Sequence, residues 1–163
     1  MSTDENAEML TEQDVIDAAT RLPGVVVVTA DEASGAPEAS WGDSFAYLDP
    51  DRKFPIATIV TQDVPGWDTY SALDRDGAFR VNFGVGRAGF EELLGYPPAA
   101  HAAHADWIDF TVGDRLLPHP TYAAQSWVSI VCPTRASLPL VQDLFDRAHA
   151  HAARRRRTGD GGR

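Results

Sequence analysis

The chain has 163 residues and a net charge of −10, with 44% hydrophobic residues. That is enough apolar material for one ordinary domain with a real core, so a disordered chain is excluded. One cysteine, Cys132, excludes an internal disulfide and suits a reducing, cytoplasmic setting. The negative charge disfavours nucleic acid and anionic lipid as partners.

Residues 1 to 10, "MSTDENAEML", read as a flexible acidic tail and not as a signal peptide. No apolar run approaches the roughly 20 residues of a membrane span. Thr11 and Asp14 form a capping-box-like pair, and Val15, Ile16, Ala19 and Leu22 follow at helical spacing. "LPG" at 22 to 24 ends that helix. Strands are expected at "VVVVTA" (25 to 30), "WGDSFAYL" (41 to 48), "FPIATIV" (54 to 60), "AFRVNF" (78 to 83) and "WVSIV" (127 to 131). The connection from Thr61 to Gly77, with Pro65, Gly66 and four Asp, reads as a surface loop. Trp67 inside it is either anchored in the core or the lid of a pocket.

"GRAGFEELLG" (86 to 95) reads as a short helix, and "AAHAAHAD" (99 to 106) as another turn or two. "SLPLVQDLFDRAHAHAARRRR" (137 to 157) is the clearest helix, with Ser137 as its cap, Pro139 in its first turn, and Val141, Leu144, Phe145 and Ala148 as its apolar stripe. Residues 158 to 163 read as a disordered tail. The expected fold is α+β: one domain over 11 to 157, a mainly antiparallel sheet with both terminal helices on one face. Phe79, Val81, Phe83, Val128, Ile130, Val141 and Phe145 should share the core.

Several stretches bear on chemistry. "GVGRAG", with Gly84, Gly86 and Gly89, matches a dinucleotide fingerprint, but its helix is short and no acid-tipped strand follows. A tight strand-to-helix turn is the better reading, and no cofactor is expected. His101 and His104 lie three apart, yet two ligands are too few for zinc, so no metal is expected. His149 and His151 lie two apart and face different sides of their helix. Arg154 to Arg157 read as a solvated helix end, with nucleic-acid binding as a weaker alternative.

In "FRVNF", Arg80 and Asn82 alternate with apolar residues, so one sheet face presents a guanidinium beside an amide. His119 stands between Pro118 and Pro120 on a stiff segment, near Tyr122 and Trp127. Convergent polar groups beside aromatics describe a small-molecule site. Arg80, Asn82, His119, Tyr122, Trp127 and Trp67 are therefore the expected ligand contacts. The alternative is a cofactor-independent enzyme, with His119 as general acid/base and Arg80 stabilising developing negative charge. Oligomeric state is not legible.

The string "LPG…WGDSFAYL…FPIATIVTQD…DRDGAFRVNFGVGRAGFEELLG…LLPHPTYAAQSWVSIVCP" resembles an actinobacterial family of domains of unknown function, from about Leu22 to Arg155. The order of elements is also distantly similar to the MmcQ/YjbR family. The resemblance implies a small sandwich of one antiparallel sheet with helices packed on it. It brings no activity, cofactor or catalytic residue, and it leaves room for a drug-binding or tailoring role beside secondary metabolism.

Overall fold

The computed structural model describes residues 7–161, the last five by backbone alone. The elements follow in order as α1 (Glu12–Thr20), β1 (Val25–Thr29), β2 (Ser44–Leu48), β3 (Ala57–Val60), β4 (Arg80–Gly84), α2 (Gly86–Leu94), the short α3 (His101–His104), β5 (Leu116–Pro118), β6 (Trp127–Val131) and α4 (Leu138–Gly161). The strands form one antiparallel sheet in the order β1-β2-β3-β4-β6-β5. The α+β architecture is the expected one, with β5 added as an edge strand. β5 was not foreseen, because three residues ending in proline carry too little alternation to read as a strand. No described helix is long and apolar enough to cross a membrane.

The two terminal helices differ in how they begin. Thr11 and Asp14 close the capping box, at 3.0 and 2.9 Å. Ser137 does not cap α4: it lies in a 3-10 turn, and its hydroxyl donates to Asp114 Oδ1 at 2.6 Å. Of the expected acidic tail, residues 1 to 6 lie outside the described residues, but Leu10 is buried and its N–H bonds the Pro133 carbonyl. At the other end, α4 continues past 157 to Gly161, and only 162 and 163 of the expected tail lie outside.

Period-two alternation sorts the strand residues onto two faces. One row across the sheet pairs Val27, Ala46, Ala57, Phe83 and Val128, and the next row on that face pairs Ile59, Val81 and Ile130. Against this face pack α1 and α4, and all seven residues expected in the core are buried together there. Phe145 of α4 meets Phe83 edge-to-face at 4.9 Å.

The second face is polar in its centre and buried all the same. Thr58, Asn82 and Ser129 lie in register, with Arg80 beside them. The segment from Thr61 to Phe79 folds over them, so it is a lid and not the surface loop its composition implies. Asp43 holds its start, accepting from Thr61 N and Oγ1 at 2.8 and 3.0 Å. Leu73 and Ala78 form a small apolar cluster with Val131 at its end. Between these anchors Arg80, 1% exposed, donates to both oxygens of Asp68, at 3.1 and 2.6 Å, and to Ser71 Oγ at 2.9 Å. Its Nε donates to Asn82 Oδ1, which also accepts from Ser129 Oγ, while Asn82 Nδ2 donates to Thr58 Oγ1. Burial works against the Asp68 carboxylate, but the Arg80 hydrogen bonds and charge outweigh it and hold its pKa below the usual range.

A buried ion pair is costly to break from one side, because the remaining charge stays in a dry site. Asp68→Asn is therefore expected to destabilise the fold by about 3–5 kcal/mol, the usual cost of orphaning such a charge. Urea unfolding measures this. A loss below ~1 kcal/mol would mean the lid is not held by this pair.

Candidate functional site

The β5–β6 connection is built on His119. Its N–H continues the ladder to the Trp127 carbonyl at 3.0 Å, while its ring turns back on the loop. Nδ1 accepts from the backbone N–H groups of Thr121 and Tyr122, at 3.0 and 2.9 Å. A ring nitrogen accepting two N–H bonds carries no proton, so the proton sits on Nε2. The side chain is 4% exposed, tilted against Tyr122 at 5.0 Å and edge-on to Trp127 at 6.4 Å. Burial first, then the positive charge of Arg80, lowers its pKa to about 3, against a smaller opposing effect of Asp68. His119 shapes a turn and stays neutral across the physiological range.

Arg80, Asn82, His119 and Trp127 thus occupy one neighbourhood. Its interior is filled: the polar atoms of Arg80 and Asn82 are turned on Asp68, Ser71, Thr58 and Ser129. Tyr122 is exposed at its edge, and Trp67, on the lid, is 67% exposed.

The ligand-sized space lies on the other side of Trp127. A cleft of about 550 Å³ opens at one end of the sheet, between the β2–β3 loop, the ends of β4 and β6, and the C-terminal half of α4. Binding cavities for small molecules run to about 300–1,000 Å³, so this one is of the right size. Phe54, Ile56, Trp127 and Ala152 give it apolar walls, and His151, Arg155 and Arg156 line it from α4.

Two glycines of "GVGRAG" make this end of the molecule possible. Gly84 pairs with Trp127 in the ladder, and a Cβ on Gly84 would stand 3.0 Å from the indole. Gly86 has φ +80°, and a Cβ there would stand 2.5 Å from His151 Nδ1. Each glycine lets a ring lie flat against backbone, and the motif is the strand-to-helix turn read from the sequence. Burial and the charges of Arg155 and Arg154 lower the pKa of His151. His149, on the other side of α4, bonds the Pro23 carbonyl through Nε2 at 2.8 Å.

The remaining histidines do not join either place. His104 stacks on Tyr96 at 3.8 Å. Among the described residues, no group of three or more His, Cys, Asp or Glu is placed to hold a metal.

A family model described as a family of unknown function, DUF6194, matches residues 10–160. The chain belongs to the DUF6194 family. No curated protein and no solved structure matches it. The family description assigns no chemistry, so the site in this DUF6194 domain rests on its geometry. Sequence reasoning named Trp127, His151 and the arginine run separately and missed Phe54. Antiparallel pairing of "FRVNFG" with "WVSIV" sets Gly84 opposite Trp127, and an aromatic over a cross-strand glycine was the available signal.

Two outcomes follow. Folded His119 takes a proton only near pH 3, whereas an unfolded histidine does so near 6.5. Between those values the unfolded chain holds more protons, so stability rises with pH, by up to ~1.4 kcal/mol per unit, and is complete above 6.5. His119→Asn keeps an acceptor two bonds from Cβ and should flatten this slope in pH-resolved urea unfolding. The acid limb of Asp68, below about pH 4, should remain. An unchanged slope in His119→Asn would show that His119 is already charged or already exposed. Separately, Gly86→Ala should cost more than ~1 kcal/mol, the scale of left-handed strain alone, because it also displaces His151. Gly86→Ala with His151→Ala should recover part of that loss in thermal unfolding.

Proposed function

We propose that this chain is a small-molecule-binding protein whose site is the cleft at the sheet end, walled by Trp127. The observation that supports it is the pair of glycines: Gly84 and Gly86 hold the indole of Trp127 and the ring of His151 flat against backbone, beside a 550 Å³ space. Two rings seated by two glycines build a wall at a cost in chain entropy, and core packing elsewhere in the sheet manages without it.

The enzymatic alternative assigned proton transfer to His119 and charge stabilisation to Arg80. The geometry offers it little support. His119 Nδ1 is occupied by two backbone N–H groups, its pKa is about 3, and Arg80 is neutralised by Asp68. A general acid/base working near neutrality needs a pKa near the working pH. Binding of nucleic acid through Arg154 to Arg156 is opposed by the overall charge of −10, and the side chain of Arg157 lies outside the described residues. The distant similarity to MmcQ/YjbR, an actinobacterial origin and a place beside secondary metabolism belong to this proposal.

A thermal-shift screen of small molecules tests the reading. Ligand at 100 times its dissociation constant adds about 2.7 kcal/mol of stability. Phe54 is 55% exposed and lines the cleft, so Phe54→Ala should fold normally and weaken the affinity for cleft ligands at least about fivefold, the worth of one aromatic contact. His119→Asn should bind them as the parent does. Ligands lost with His119→Asn and kept with Phe54→Ala would move the site to the lid side of Trp127 and end this reading.

A further inference from the structure

The cleft has a chemical bias that its size does not require. Its polar lining is rich in hydrogen-bond donors. Trp127 Nε1, a donor only, has no acceptor among the described residues. The His151 ring lies at the Gly86 backbone and makes no hydrogen bond among the described residues. Arg155 and Arg156 extend from the last turns of α4 into the lining. Arg156 is held in place from the rim, where its Nη1 donates to the Asp49 carbonyl at 2.9 Å, and a guanidinium has four further N–H donors to offer. Lys53 sits over the Phe54 ring, 5.3 Å from its centroid.

One acid faces these cations. Asp51 lines the cleft, and its Oδ1 is already engaged by the N–H groups of Lys53 and Phe54, at 2.8 and 3.3 Å. With His151 neutral, Arg155 and Arg156 against Asp51 leave a positive balance in the lining of a chain whose total is −10. In a surface this acidic, a positive concavity is where an anion is drawn and a cation is turned away. Complementing the dipole at the end of α4 accounts for arginines near a helix terminus. It does not account for their facing a cleft walled by Trp127 and Phe54, with an unused indole N–H.

Resting on the binding reading above, we propose that the ligand is an organic anion with a flat apolar body and a carboxylate-like head. The body lies against Trp127 and Phe54, where an aromatic face is buried without polar loss. The head lies toward Arg155 and Arg156, where a planar carboxylate can take a forked pair of N–H bonds. The Trp127 indole N–H supplies a further donor on the same wall.

The test uses three probes of one shape and different charge: 2-naphthoate, 2-naphthamide and 2-naphthylmethylammonium. Amide resonances of Gly84 and Gly86 and the indole N–H of Trp127 report occupancy of the cleft by NMR. Expected is binding of 2-naphthoate at least about tenfold tighter than of the amide, a difference of the size one charged hydrogen-bond pair supplies, with the ammonium weakest. Arg155→Gln with Arg156→Gln should abolish that preference. Arg115→Gln removes one positive charge from an exposed position outside the cleft and should keep it. If the amide or the ammonium shifts these resonances as well as the carboxylate does, the anion assignment fails while small-molecule binding stands. If none of the three shifts them and the screen yields no cleft ligand, both fall.

Discussion

The guanidinium of Arg80 carries its charge inside the protein, 1% exposed, and that side of the sheet is arranged around it. A buried charge needs a partner and satisfied donors, or the site empties of structure. Asp68 supplies the charge, Ser71 and Asn82 the remaining acceptors, and both Asp68 and Ser71 come from the segment that crosses the sheet. The lid is therefore a consequence of the arginine. With fewer apolar residues than a helix would bring, the segment covers the polar rows by electrostatics and a three-residue apolar cluster at its end. The sheet becomes a three-layer arrangement: helices on one face, the strands, and a hydrogen-bonded loop on the other.

Burial, and after it the same charge, set the state of His119. A second cation beside Arg80 in a dry site is unfavourable, so the imidazole stays neutral and its Nδ1 lone pair is free to close the β5–β6 loop. The loop in turn delivers Trp127, whose N–H bonds the Tyr122 carbonyl and whose ring stands between two environments. One side meets His119, the other Gly84 and the cleft. The buried ion pair thus acts on the loop through its charge, and the loop reaches the wall of the concavity through the contact of His119 with Trp127.

Much of this was legible in the residues. Alternation in "FRVNF" and "WVSIV" assigned the two faces, and the apolar stripe Val141, Leu144, Phe145, Ala148 placed α4 on the right one. The misreadings share a cause: each needed knowledge of a partner distant in sequence. Asp68 and Ser71 look like solvated loop residues until Arg80, at least nine positions on, is brought under them. Ser137 looks like a cap until Asp114 competes for its hydroxyl. The candidate contacts His119, Arg80, Asn82 and Trp127 do gather in space, as their residue types suggested. What composition could not tell is that Arg80 and Asn82 would turn on Asp68, Ser71, Thr58 and Ser129, and His119 Nδ1 on its own loop, with the open volume at the far edge of Trp127. Phe54 comes from the β2–β3 loop, while His151 and Arg155 stand one helical turn apart on α4, and only the fold brings the two stretches together.

The central claim is that the ion pair closes the polar face and that the ligand space lies beyond Trp127. Crystallographic fragment screening of the intact chain tests it most directly, since it maps occupancy over the whole surface without choosing a site in advance. The account predicts fragment density in the cleft, touching Trp127 and Phe54, with the Arg80–Asp68 pair undisturbed in every bound structure. Density lodged against the Arg80 guanidinium, with Asp68 swung away and the lid displaced, would contradict it.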